Sequence, residues 1–188
     1  MRDVEPTESA TSTRRDELAA TARAILDATL YMTLGTVDSD GNPWTTPVYY
    51  GTADYTDFYW ISTPEAAHSR NLSRHPRLSI VVFNSAVPLG EGQAVYMSGV
   101  GEELTGPELD RGLEIYPGAP ERGAYAMTRE QVQPPAAYRL YRARACEHFV
   151  LCPRESGGPC SEHGLTTNHR TAVTLSQDVT RGTSRRGQ

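Results

Sequence analysis

The sequence predicts a mainly β fold: a small antiparallel barrel of six strands with peripheral helices. Three observations predict it. β-forming residues alternate with period two in short runs between about Tyr31 and Leu151, and tight-turn residues separate those runs. Helical stretches are inserted at intervals, without the regular strand–helix alternation of a doubly wound parallel sheet.

The elements follow in order. Residues 1–12 are rich in Thr, Ser and Glu, with almost nothing to bury, and are expected to form a disordered lead. Thr13 followed by Asp16 has the form of an N-terminal cap, and Leu18, Ala22, Ile25 and Leu26 recur at helical spacing, so an amphipathic helix should run to about Ala28. Tyr31–Val37 and Trp44–Tyr50 flank Asp38-Ser39-Asp40-Gly41-Asn42-Pro43, whose Asp-Gly and Asn-Pro steps signal a hairpin turn. Asp57–Ser62 makes a third strand, Leu78–Asn84 a fourth and Ala94–Glu102 a fifth. A short helix over Glu65–Arg74 lies between the third and fourth and is ended by Pro76. Pro107–Ile115 and Glu121–Gln133 are predicted as further helices, and Tyr138–Leu151 as a long last strand, bent midway. Beyond Cys152 the chain is rich in Gly, Pro, Ser and Arg, and only Thr171–Leu175 hints at a strand. The expected organisation is therefore a lead over 1–12, one folded domain over 13–151 and a mostly irregular tail over 152–188.

Composition narrows the function. A chain of 188 residues with net charge -5 carries no basic field of the kind that holds nucleic acid or an anionic membrane. No apolar run approaches the roughly 20 residues needed to span a bilayer, and Met1–Arg15 lacks a signal-peptide apolar core, so a cytoplasmic protein is expected. All 18 basic residues are arginine. Lysine Schiff-base chemistry has no residue to use, and a bound phosphate must be held by Arg, His, hydroxyls or backbone N–H groups. Cys146, Cys152 and Cys160, with His148, His163 and His169 nearby, lack the paired Cys-x2-Cys spacing of structural zinc sites. They are read as scattered thiols, and no metal site is expected.

The stretch STPEAAHSRNLSRHPRLSIVVF, Ser62–Phe83, carries the strongest functional signal. A helix starting just after a strand end aims its first-turn N–H groups at whatever lies beside that end, and the dipole favours an anion there. His68 and Ser69 add hydrogen-bond donors, and Arg70 adds a fixed charge with planar two-donor geometry. Elsewhere no acid, base or nucleophile stands out, so catalytic residues are left unassigned. Tyr49, Tyr50, Tyr59 and Trp60 are expected in the core or an interface rather than lining a substrate pocket.

That stretch, preceded by GTVDSDGNPWTTPVYY and followed by QAVYMSGVGEEL, resembles the pyridoxamine 5'-phosphate oxidase-like proteins, the flavin-binding split β-barrels, over roughly Leu30–Leu151. The resemblance implies a homodimer with a flavin, FMN, in each of two clefts between the chains. It implies that Thr45, Thr46, Pro47 and Val48 lie along the isoalloxazine ring, that Ser62, Thr63, His68, Ser69, Arg70 and Asn71 hold the ribityl phosphate, and that Gln93 reaches the flavin from the partner subunit. Some relatives bind an 8-hydroxy-5-deazaflavin coenzyme instead, and others haem. The oxidases that act on vitamin B6 hold the substrate phosphate with a Trp-bearing, Arg-ending C-terminal segment. Phe149 and the Gly-Pro-rich tail replace it here, so the substrate is expected to be a different small molecule. A flavin- or haem-binding module without turnover, or a deazaflavin-dependent reductase, is the alternative, and flavin redox chemistry fits the lack of an obvious acid or base, because the cofactor itself performs the transfer.

Overall fold

The computed structural model describes residues 8–88, 92–152, 158–160 and 163–175. Helix α1 (Glu8–Ala28) leads into β1 (Tyr31–Val37), β2 (Pro43–Tyr49), β3 (Gly51–Thr52) and β4 (Asp57–Ser62). Helix α2 (Ala67–Arg74), β5 (Arg77–Phe83), β6 (Ala94–Glu103), α3 (Gly106–Ile115), β7 (Arg139–Leu151) and β8 (Arg170–Val173) follow. Every pairing is antiparallel, and the strands form a single curled sheet in the order β2-β1-β5-β6-β7-β4-β3, with β8 joined to β7. The six expected strands are β1, β2, β4, β5, β6 and β7. The two-residue β3 and the tail strand β8 are additional.

The alternation of each strand sends one row of side chains inward. Met32 and Leu34 of β1, Leu78, Ile80 and Val82 of β5, Val95 and Met97 of β6, and Ala143, Ala145 and Val150 of β7 form the main core. Helix α1 closes it with Leu18, Ala19, Ala22 and Leu26. Tyr50, Phe58 and Trp60 are fully buried and Tyr59 is 2% exposed, so these aromatics are core, as composition suggested. Arg122 fixes the end of α1: its guanidinium donates to the carbonyls of Asp27 (3.0 Å), Thr29 (3.1 Å) and Tyr50 (3.0 Å) and lies over the Tyr50 ring. A second, smaller core on the other side of β4 and β7 gathers Tyr59, Leu104, Leu109, Val132 and Leu140 under α3.

Strand β7 has thirteen residues and three partners. One edge pairs with β6 along its length. The other pairs with β4 over Arg139–Arg144 and with β8 over His148–Leu151. The register against β6 shifts between Ser98 and Gly99: Ser98 faces Glu147 and Gly99 faces Ala145, so Cys146 has no opposite residue. This bulge is the midway bend the sequence predicts. Only glycine fits at 99, because a Cβ there would lie 2.5 Å from the Arg144 carbonyl oxygen.

The helix expected over Glu121–Gln133 does not form. Two 3-10 turns, Pro120–Arg122 and Arg129–Val132, stand in its place. Gly123 adopts φ 74°, which ends the first turn, and Thr128 opens the second with a capping box in which its backbone N–H donates to Gln131 Oε1 at 2.9 Å. At the domain ends, α1 begins at Glu8, inside the expected lead, and β8 lies in the expected tail, followed by Leu175 at 1% exposure in the main core. The Leu175→Ala change should cost about 2–5 kcal/mol, as for other buried leucines, read from urea unfolding. A loss below about 0.5 kcal/mol, the ordinary range for surface changes, would mean that this segment contributes no core packing.

Candidate functional site

Helix α2 turns four residues after β4 ends. Ala66 N–H donates back to the Thr63 carbonyl at 3.1 Å, and Ala66 occupies the cap position with no side-chain bond to the first turn. The first-turn N–H groups are thus left without the side-chain acceptor that a Ser, Thr or Asp cap supplies. The helix sequence AHSRNLSR is polar, yet His68, Ser69, Asn71 and Leu72 are all buried, at 4–5% exposure.

Each buried residue is accounted for differently. Leu72 packs into the main core. Asn71 donates from Nδ2 to Thr36 Oγ1 at 3.1 Å, and Thr36 Oγ1 reaches the Trp44 carbonyl at 3.4 Å. This chain ties α2 to the β1–β2 hairpin beside Thr45. His68 Nε2 and Ser69 Oγ are buried with no hydrogen-bond partner. Such an orphan costs about 1–3 kcal/mol unless a ligand or water meets it, and natural folds keep few of them. Next to them Arg70 is exposed. One of its guanidinium N–H groups donates to the Glu65 carbonyl, and the others remain available.

A cleft of about 410 Å³ opens beside this turn, lined by Ser69 and Arg70 of α2, Pro64, Tyr141 of β7, and Glu102 and Glu103 at the end of β6. The two carboxylates are each matched by a β7 arginine: Arg142 lies 2.5 Å from Glu102 and Arg139 lies 3.5 Å from Glu103. Both carboxylates lining the cleft are thus engaged by arginines, which weakens their repulsion of an anion at the α2 turn.

The other residues singled out in the sequence divide into three groups. Ser62 and Thr63, both half-buried, sit at the β4 end beside α2. Thr45 and Pro47 are exposed, Thr46 is half-buried and accepts from Trp44 Nε1 at 3.0 Å, and α2 packs against their strand. Val48 turns its side chain into the core, which leaves it only backbone contact with a ligand. Gln93 stands apart. Phe83 pairs with Ala94 at one end of the β5–β6 ladder and Arg77, next to α2, pairs with Val100 at the other. Six residue steps at about 3.4 Å each separate those ends by roughly 20 Å. Within one chain Gln93 does not reach the α2 turn. Tyr141, Glu102 and Glu103 were missed by the sequence reading because only the β6–β7 pairing brings them to the cleft.

Two of the three thiols read as scattered lie together, and Cys146 is exposed and outside the group. Cys152 and Cys160 lie with Sγ atoms 3.0 Å apart, with His163 and His169 around them. The available signal was Cys160-x2-His163, a knuckle spacing with histidine in the second place.

A curled antiparallel sheet with a short helix seated between β4 and β5 defines a split β-barrel. The family model described as pyridoxamine 5'-phosphate oxidase matches residues 18–145, and the chain belongs to that family. A pyridoxine/pyridoxamine 5'-phosphate oxidase from Pseudomonas paraeruginosa is 30% identical over 132 residues, which is 68% of this chain and 60% of that protein. The chain therefore spans under two thirds of that relative's length. Among solved structures, a heme binding protein from Mycobacterium smegmatis aligns with TM-score 0.59 and 21% identity over 90% of this chain and 59% of that one. HutZ, the heme storage protein from Vibrio cholerae, aligns with TM-score 0.54 and 15% identity over 68% of this chain and 89% of that one. At such identities the likeness is one of fold. Among the described residues no helix is long and apolar enough to cross a membrane.

Burial pushes the His68 imidazole below its ordinary pKa. It does the same to His148, partly offset by a 2.6 Å bond to the Tyr55 carbonyl. His68 is thus a neutral hydrogen-bonding group rather than a cation at neutral pH. Since the unfolded chain takes up protons that the folded one excludes, stability from these groups is full above about pH 6.5 and is lost as pH falls through the depressed folded values. The urea midpoint should fall between about pH 7 and pH 5, and His68→Gln should flatten that fall. An unchanged slope in the variant would show that His68 is not the group responsible.

Proposed function

We propose that the protein is an FMN-dependent oxidoreductase acting on a small molecule other than a vitamin B6 phosphate, in the cytoplasm, and that the phosphate of FMN is held at the start of α2. The observation that carries this reading is the pair of buried orphan atoms, His68 Nε2 and Ser69 Oγ, beside an uncapped helix start and Arg70. A phosphate ester offers several acceptor oxygens and negative charge, which is what these donors lack. With no lysine in the chain, Arg70 supplies the fixed charge, and neutral His68 and Ser69 supply hydrogen bonds. Ser62 and Thr63 add hydroxyls at the β4 end. Asn71 acts by positioning, because its amide is already bound to Thr36. When bound, a flavin supplies the redox chemistry, accepting and returning a hydride or single electrons. The family match supports this assignment.

The cleft is completed in this reading by a second copy of the chain. The outer faces of β1, β5 and β6 carry Tyr31 at 59%, Phe83 at 49% and Val100 at 45% exposure, with Val81 and Tyr96 between them. Gln93 lies at the rim of that face, with Val81, Phe83 and Tyr96. Dimerisation through it would cover the apolar surface and carry Gln93 toward the partner's α2 turn.

Three measurements test these assignments. In titrations of FMN and riboflavin, Arg70→Ala should remove charge-assisted bonds worth about 1.5–3 kcal/mol, a loss of roughly tenfold to hundredfold in FMN affinity, and leave riboflavin nearly unaffected. A variant that keeps the wild-type preference for FMN places the phosphate elsewhere. The absorbance of the purified protein separates flavin from haem, through its Soret band, and from the single visible band of a deazaflavin. Light scattering should give a dimer mass at micromolar concentration, and Phe83→Asp should shift it to monomer. A wild-type monomer removes the shared cleft.

A further inference from the structure

The β7–β8 ladder extends one rung beyond Leu151↔Arg170 and sets Cys152 opposite His169, with Cys152 N–H donating to the His169 carbonyl at 3.0 Å. A tight turn holds the other two groups: Gly164 N–H donates to the Cys160 carbonyl at 2.8 Å, and Cys160 N–H donates to the Leu165 carbonyl at 2.8 Å, so His163 sits within the turn that Cys160 opens. One donor atom from each of Cys152, Cys160, His163 and His169 lies within 4.8 Å of the others. The two cysteines are buried and not joined by a disulfide; His169 is half-buried and His163 exposed.

We propose that these four side chains form a tetrahedral zinc site that fastens the C-terminal segment to β7. The donor set is two thiolates and two imidazoles, the set that selects zinc in closed, four-coordinate structural sites. The spacings fit. With Zn–S near 2.3 Å and Zn–N near 2.0–2.1 Å, a tetrahedron has S···N edges of about 3.6 Å and an N···N edge of about 3.3 Å. His163 Nδ1 lies 3.7 Å from Cys152 Sγ, 3.6 Å from Cys160 Sγ and 3.2 Å from His169 Nε2. Of these four edges only the Sγ···Sγ distance of 3.0 Å must open, by about 0.8 Å, to admit the ion, and the remaining two, from His169 Nε2 to the thiols, lie within 4.8 Å and close onto the ion as it binds.

The surroundings of His169 point the same way. Its Nδ1 lies 2.9 Å from the Thr167 carbonyl. A carbonyl can only accept, so Nδ1 carries the proton, and the neutral ring keeps its lone pair on Nε2, the atom that faces the cluster. This outer bond to a backbone carbonyl is how metal-bound histidines are generally oriented. Without an ion, His163 Nδ1–H would donate to that lone pair. With zinc, both rings turn lone pairs inward and two thiol protons leave. The site is then electrically neutral, since two thiolates balance the ion, and can stay beside the core at low cost. All four positions are filled by protein, so the ion has no open face for chemistry.

The site does not depend on the flavin assignment, and the full chain tests it directly. Protein purified under reducing, chelator-free conditions, or stripped and given zinc chloride alone, should hold one zinc per chain by elemental analysis. Cobalt(II) in its place should give the intense visible bands of tetrahedral coordination and a near-ultraviolet thiolate charge-transfer band. His169→Ala and Cys160→Ser should lose the metal, whereas Cys146→Ser, exposed and outside the cluster, should keep it. Stripping should lower the thermal midpoint of wild type but not of Cys160→Ser. If the variants fail to fold, the cobalt spectrum of the wild type decides alone. The proposal is overturned if reduced wild type takes up no zinc, if cobalt gives only the weak bands of an octahedral site, or if zinc binds equally to Cys160→Ser. It is also overturned if the intact mass shows a Cys152–Cys160 disulfide that reforms in preference to metal binding.

Discussion

A β-strand has two edges, and the structure depends on how β7 divides one of them. Its first edge is committed to β6 from Glu103 to Val95. The second is shared, with β4 taking the first half and β8 the second. The change of partner occurs around the unpaired Cys146, where the bulge against Ser98 and Gly99 turns the strand. The β4 half leads on into α2 and the cleft, and the β8 half brings His169 beside Cys152. Both candidate sites hang on the one edge that β7 divides.

Charge fixes the β4–β7 half of this arrangement. Asp57, at the start of β4, accepts a two-pronged bond from Arg144 at 2.9 and 3.0 Å, and Arg142 reaches Glu102 of β6 and Glu108 of α3 at 2.5 and 2.6 Å. Arg142 is largely buried, so stripping it of its carboxylates would leave a desolvated charge, which is costlier than the pairing itself is stabilising. The network sets register as much as stability: β4 cannot slip by a residue without separating Asp57 from Arg144.

How much was legible follows from whether the signal is local. Period-two alternation and Asp-Gly turn chemistry fixed the six main strands, because each is written within ten residues. Residue type singled out the α2 turn as a candidate anion site, but not the burial of His68 and Ser69, in a helix whose sequence is polar and which packs on β1 and β2. The helix expected over Glu121–Gln133 fails at Gly123, whose positive φ ends the first turn. The two-residue β3 carries too few side chains to register at all, and β8 was only a hint because its four residues, Arg170–Val173, are too short a run to stand out without β7 beside them. The four late ligands come from the same cause, since Cys152 and His169 meet only through a ladder that neither residue announces.

The far end of the sheet has its own consequence. Strand β2 is terminal in the sheet order and contains Pro43 and Pro47, paired with Val37 and Thr33. Proline has no N–H to offer a further strand, so it interrupts the row of donors along that free edge. Another chain cannot zip onto β2 in a continuous ladder, so growth of the sheet from this edge is blocked. Association is diverted from backbone pairing, which is indifferent to sequence, to side-chain faces, which are selective. The prolines thus act as a filter on how copies of the molecule meet.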